Sequence, residues 1–266
     1  MKNTKGFIIA AGLLGIVVIS TAFMTLQSKK EMTIPQGDNK GFTLLELFTS
    51  EGCSSCPAAD ELVAKIQKDN PNPQIYILAW HVDYWDRQGW KDIYSDAEYT
   101  KRQSRYAEWL NLQTIYTPQI VANGKTEFVG SNEHALLSAI SAGLKETPAQ
   151  TLILNSTTKN GQINVRYETD GFRKQSDLTI ALVQKSGRSQ VKAGENSGRT
   201  LTHVQIVRKL AVETLRANTG ELSLAQPKDY NEHEWELIGF VQDKTKGTIL
   251  SAARSELTTS NKSNNP

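Results

Sequence analysis

Cys53 and Cys56 are the only cysteines in the 266-residue chain. They lie in LLELFTSEGCSSCPAAD, residues 44–60, where an apolar run ends at Gly52 and a helical pattern begins at Cys56. A thiol pair at this spacing, at a strand–helix junction, reads as a redox site. Unpaired N–H groups at a helix N-terminus favour a thiolate there and lower its pKa. Ser54 and Ser55 between the cysteines are small, and Pro57 suits an early helical position that needs no N–H. Two other readings remain open. The pair could be a static structural disulfide, or half of a zinc site. Zinc needs about four ligands, and neither a second cysteine pair nor a nearby histidine stands in the sequence.

Three further groups of residues could take part. Glu46 interrupts the apolar run 42–48, and a charge is costly to bury. It sits either on a solvated strand end or behind the cysteines as a buried acid. In the second case its raised pKa would suit it to manage the proton of Cys56. The stretch 81–90, HVDYWDRQGW, follows a strand, where ligand sites of open α/β sheets gather. His81, Asp83 and Trp85 are its candidates for facing a substrate, although its aromatics could equally only pack the loop. The loop 192–203, KAGENSGRTLTH, carries Glu195, Asn196, Arg199 and His203 among two glycines. It is either a plain surface loop or one that faces the substrate or the first domain, with Arg199 paired to a carboxylate there.

The elements that position these residues follow from periodicity and turn signals. Strands are expected at 42–48 and 74–80, with a helix from about 56 to 68 between them, as in a βαβ unit. Asp60 falls in the second turn of that helix and reads as solvated. A capping box from Ser95 to Glu98 opens a helix to about 111, whose Lys101, Arg102 and Arg105 read as a solvated face. Short strands at 119–122 and 125–129 flank Asn123-Gly124, a strong hairpin signal. Thr117-Pro118 precedes the first of them. A helix capped by Ser131 runs to about 142 and stops at Gly143. Beyond Pro148 the pattern becomes strand-rich, with candidates at 151–155, 162–169, 177–184, 201–210, 221–224, 234–241 and 247–252, as in a small sandwich. Tyr167, Trp235 and Leu237 are its expected core.

The N-terminus is a separate matter. Residues 6–26 form an uncharged apolar segment of 21 residues flanked by lysines, long enough to span a bilayer. It reads as an uncleaved anchor, or alternatively as a cleaved signal. Either would export the rest to an oxidising compartment, periplasmic and membrane-anchored, or secreted after cleavage. The net charge of +2 offers no electrostatic argument for nucleic acid.

The order of strand, C-x-x-C helix, strand, helix, Thr-Pro, hairpin and helix resembles a thioredoxin-like domain. That resemblance implies Cys53 as nucleophile, Cys56 as resolving thiol, a cis Pro118 facing them beside Thr117, and Glu46 near the position of the family's buried acid. The chain departs from the usual pattern in having Gly52 before the first cysteine and Ser54-Ser55 between the two. ELFTSEGCSSCPAAD, HVDYWDRQGW and YTPQIVANG together look more closely like DUF1223, a family of uncharacterised bacterial secreted proteins with a β-rich C-terminal region. The expected organisation is an anchor or signal at 1–30, a linker at 31–40, an α/β thioredoxin-like domain at 41–147, an all-β sandwich-like domain at 148–254 and a disordered tail at 255–266. The expected function is extracytoplasmic thiol–disulfide exchange with a protein or small thiol, with no cofactor or metal. A membrane redox partner and membrane contact through residues 6–26 belong to the same expectation. The alternative is a non-enzymatic envelope module with a static disulfide.

Overall fold

A computed structural model describes residues 41–171 and 175–259. The expected anchor and linker lie outside the described residues, and among the described residues no helix is long and apolar enough to cross a membrane.

Strand β1 (Thr43–Thr49) is buried on both faces, as its near-continuous apolar sequence requires. It leads into helix α1 (Cys56–Asp69), with Pro57 in its first turn. Strand β2 (Ile75–His81) returns parallel to β1. Helix α2 (Ala97–Trp109) is capped by Asp96, whose side chain accepts from the Glu98 N–H. The expected cap, Ser95, instead turns its hydroxyl to Asp86. Strands β3 (Gln119–Ala122) and β4 (Thr126–Val129) form the hairpin, antiparallel to β1 through β3. Helix α3 (Glu133–Lys145) is capped by Asn132 rather than Ser131. Gly143 lies buried within α3 instead of ending it, because the helix presses so closely on β1 that only a hydrogen fits.

The alternation along β1 assigns two cores. Leu45 and Leu47 pack with α1 and α3 through Ala59, Val63, Ile66, Leu136 and Ile140. Leu44 and Phe48 pack on the other face with Tyr99 and Tyr106 of α2.

The remaining strands are β5 (Leu152–Lys159), β6 (Gln162–Thr169), β7 (Ser176–Gln190), β8 (Thr200–Thr214), β9 (Thr219–Ala225), β10 (Trp235–Asp243), β11 (Ile249–Ser255) and β12 (Leu257–Thr259). They do not form a separate all-β body. One eight-stranded sheet runs β11-β10-β7-β8-β2-β1-β3-β4, and a four-stranded sheet runs β12-β5-β6-β9. The large sheet crosses the expected boundary at 147/148, because β8 lies parallel beside β2 with Ala79 opposite Ile206. The described residues accordingly belong to one compact unit. The sandwich-like part survives within it. The four-stranded sheet supplies Leu152, Leu154, Ile163, Val165 and Tyr167 to a core with Leu178, Ile180, Trp235 and Leu237 of the large sheet. The described part of the expected disordered tail includes β12, which pairs parallel with β5.

Candidate active site

Cys53 and Cys56 are joined as a disulfide. A turn in which the Cys53 N–H donates to the Ser50 carbonyl brings the chain from β1 to the start of α1. Both cysteines are 0% exposed, whereas Ser54 and Ser55 between them are exposed. The sulfurs are therefore buried, with the exposed Ser54 and Ser55 between them.

Two segments cover them. Trp85 sets its Cβ against Gly52, where an added side-chain carbon would come within 3.1 Å, and its indole N–H donates to Thr117 Oγ1 at 2.8 Å. Trp85 thus ties the 81–90 stretch to the Thr117–Pro118 bond, which is cis. The second segment joins β7 to β8. Asn196 is buried, and its amide donates to the carbonyls of Glu51 and Cys53, both at 2.9 Å. Glu195 accepts from the Ser54 N–H at 2.9 Å, and the Ser54 hydroxyl together with that N–H holds the carboxyl below the usual carboxylate range. Among the described residues Arg199 pairs with no carboxylate. Its guanidinium donates to Asn196 Oδ1 at 2.7 Å and braces the residue that grips Cys53.

Glu46 is fully buried, but it serves a different site. Even-numbered residues of β1 face α2, and α1 with its cysteine lies on the opposite face. Glu46 accepts from Arg102 Nε at 2.5 Å and Nη2 at 2.8 Å, and from the Tyr106 hydroxyl. Arg102, expected on a solvated face, is 2% exposed and lies over the rings of Trp80 and Phe240. The network thus lies on the face of β1 opposite α1, and among the described residues the bonds made to Glu46 come from Arg102 and Tyr106.

The acids on the cysteine face are Asp60, Glu51 and Asp92, which are 3%, 0% and 1% exposed. Asp60 is one helical turn beyond Cys56 and accepts from Thr49 Oγ1 at 3.1 Å. Glu51 accepts from Trp90 Nε1 at 2.6 Å and from the Ser189 hydroxyl. Asp92 contacts His81 Nδ1 at 2.6 Å and accepts from the backbone N–H groups of Glu51 and Tyr94. Burial works against its ionised form, but His81 and these N–H groups outweigh that and lower its pKa.

His203, from β8, completes the cluster. Its Nδ1 lies 3.6 Å from Asp60 and its Nε2 3.7 Å from Glu51. These are ion-pair distances too long for hydrogen bonds, and neither nitrogen has a hydrogen-bond partner. Its ring meets that of His81 edge-on at 4.7 Å. Burial favours the neutral ring, but Asp60, Glu51 and Asp92 prevail and push its pKa up to about 10. Among the described residues no three His, Cys, Asp or Glu side chains are arranged to hold a metal ion.

Of the expected site residues, the fold gathers Cys53, Cys56, Thr117, Trp85 and His81 around one end of the large sheet. It leaves Asp83 bonded to Thr100 of α2, through an accepted hydroxyl at 2.5 Å. Asp60, Glu51, Asp92 and His203 were not singled out as one site. Only His203 lies in a stretch whose composition stood out, 192–203; Asp60 read as a solvated helix residue, and Glu51 and Asp92 carried no signal.

No curated protein matches the chain. Among solved structures it is similar to AGR_C_4864 from Agrobacterium tumefaciens, with a TM-score of 0.63 and 22% identity over 87% of this chain and 99% of that one, a likeness of fold alone. It also overlaps a domain of the outer membrane lipoprotein Omp28 from Porphyromonas gingivalis, with a TM-score of 0.29 and 8% identity over 44% of this chain and 93% of that one. An overlap that weak carries no argument. The family model described as "Protein of unknown function (DUF1223)" matches residues 44–242. The chain is a thioredoxin-like member of the DUF1223 family.

Proposed function

We propose that the chain is an extracytoplasmic thiol–disulfide oxidoreductase that works through Cys53 and Cys56 on a protein or small thiol. The observation that carries this reading is the disulfide at the start of α1, set over buried carboxyls and imidazoles. A thiolate of the substrate attacks Cys53 Sγ, the Cys53–Cys56 bond breaks, and its electron pair passes to Cys56 Sγ. A second substrate thiolate then attacks the substrate sulfur of the mixed disulfide and releases Cys53. The substrate loses two electrons and the pair gains two; the reverse sequence reduces a substrate disulfide. Ser54 and Ser55 mark the side from which a substrate enters, with Thr117, Pro118 and Trp85 around it. The apolar segment 6–26 supports export, where a disulfide persists. N-terminal sequencing of the mature protein tests the anchor, and a start at Phe23 or later overturns it.

The complete burial of both cysteines favours a second reading, a static disulfide in a binding or structural module. A redox titration of the soluble part, paired with trapping by a Cys56→Ser variant, separates the two. A reversible couple and mixed disulfides through Cys53 support the oxidoreductase. A pair that resists strong dithiols, with nothing trapped, overturns it.

A further inference from the structure

Pairing between β7 and β8 lapses at one place. Gln184 lies opposite Ile206 and Ser186 opposite Val204, but Lys185 and Gln205 between them do not pair. The Lys185 N–H donates instead to the Glu234 carbonyl, and Gln205 has a backbone φ of +55°, which is uncommon outside glycine. The bend sits beside the joint with β2, where Ile206 meets Ala79. That joint accounts for the backbone but not for the side chain. Gln205 is 2% exposed, and among the described residues its carboxamide makes no hydrogen bond. A buried amide left without partners is costly, so each such group asks for a reason.

Gln205 lines a cavity of about 380 Å³ at the C-terminal end of α1, within the size range of small-molecule sites. The disulfide stands at the opposite end of that helix, about 20 Å away along its axis. Three more carboxamides line the cavity, Gln67, Asn70 and Asn72. Asn72 Oδ1 accepts from the Gln74 N–H and Asn70 Nδ2 donates to the Ile66 carbonyl. Asn72 Nδ2, Asn70 Oδ1 and the whole Gln67 amide make no bond among the described residues. The charged side chains there balance, Lys185 and Arg254 against Glu236 and Glu256. Arg254 is already paired with Glu236 at 2.5 Å, and Lys185 Nζ donates to the His233 carbonyl at 3.2 Å.

We propose that this cavity binds a neutral saccharide, with vicinal hydroxyls paired to the Gln205 carboxamide. A hydroxyl both donates and accepts, so two neighbouring ones meet an amide oxygen and an amide N–H at once. Gln67, Asn70 and Asn72 offer the same complement to further hydroxyls, and Pro71 and Pro73 offer apolar rings to the C–H face of the sugar. The balanced charge gives an anionic ligand no preference. A peptide strand would need an unpaired sheet edge, and β7, β8 and β2 are all interior strands. The proposal does not rest on the redox reading of the cysteine pair, and its test uses no thiol.

The test is calorimetric titration of the full chain, in a zwitterionic detergent without a sugar headgroup, with glucose, galactose and N-acetylglucosamine, and with trialanine for contrast. At least one saccharide is expected to bind. Gln205→Leu is expected to weaken that binding about tenfold or more while its denaturation midpoint stays level or rises, because the amide it removes has no bond within the chain. Gln67→Ala, which also removes an amide unbonded in the chain, is expected to weaken binding severalfold and decides the matter if Gln205→Leu does not fold. Binding of none of the three sugars overturns the proposal, as does tighter binding of trialanine, or sugar binding unchanged in a folded variant. A folded Gln205→Leu chain with a lowered midpoint also overturns it, since the amide would then serve the fold.

Discussion

Glu46 and Asp60 are both buried carboxyls near the cysteines in sequence, yet the sheet puts them on opposite faces with opposite consequences. Glu46 is matched to Arg102 in a bidentate pair closed by Tyr106 and Gln242. Removing one member of such a pair strands the other charge, and Arg102→Met is expected to destabilise the fold by about 3–5 kcal/mol in urea unfolding. Replacing both, as Glu46→Leu with Arg102→Met, recovers most of that loss, because two apolar side chains leave no charge unpaired. Asn196 works at the same scale with another effect. Its amide bonds hold Glu51 and Cys53 in the closed turn, and two net hydrogen bonds are worth about 1–3 kcal/mol. Asn196→Ala should therefore speed reduction of the disulfide by a small dithiol about tenfold or more, read as a stopped-flow rate. An unchanged rate would show that the loop does not control access.

At the scale of elements, the site depends on how closely α3 and α1 press on β1. A side-chain carbon at Gly143 would meet Thr43 Oγ1 at 2.3 Å and the Phe42 carbonyl at 2.8 Å. Thr43 in turn donates to the Ile140 carbonyl of α3 at 3.1 Å. Alanine improves helix propensity by about 1 kcal/mol over glycine, but overpacking costs about 1–3 kcal/mol. Gly143→Ala is thus expected to lower stability, seen as a lower denaturation midpoint with an unchanged slope. The joint of β2 with β8 is a second such contact. It is short, with Ala79 opposite Ile206, yet it brings His203 within reach of Asp60 on α1.

For the whole molecule, the buried cluster makes stability depend on pH on both sides of neutrality. The pKa of His203 is raised from 6.5 to about 10 in the folded chain, so folding favours its proton. Its contribution is complete below about pH 6.5 and is lost as pH rises through about 10. Asp92 is shifted the other way, below 3.8, so its contribution is present above that value and is lost as acid titrates it. Unfolding free energy should decline from pH 7 towards pH 10 in wild type, and this alkaline decline should be largely absent in His203→Gln. A variant that retains the full decline would assign it to other groups.

Local pattern determined nearly all of the elements. The hairpin at Asn123-Gly124, the helix opening at Cys56, and strands such as β3 and β6 lie where periodicity and turn residues put them, because burial of an amphipathic face and turn stereochemistry act over a few residues. The cysteine pair was legible for the same reason, since its spacing is a property of one helical turn. Pairing across long separations was not legible. The sequence showed a change of character near Pro148, but whether β8 joined β2 or began a separate sheet rested on tertiary contacts that leave no local period. Asp60 read as solvated because a carboxyl in a helix usually is, and it became buried only when Thr49 and His203 closed around it. Glu46 was rightly seen as an exceptional charge in an apolar strand, but alternation alone could not say which face carried the cysteines and which carried Arg102. The pair itself was written in one short stretch, while the side chains that close around it were brought by the fold from residues more than 140 positions away.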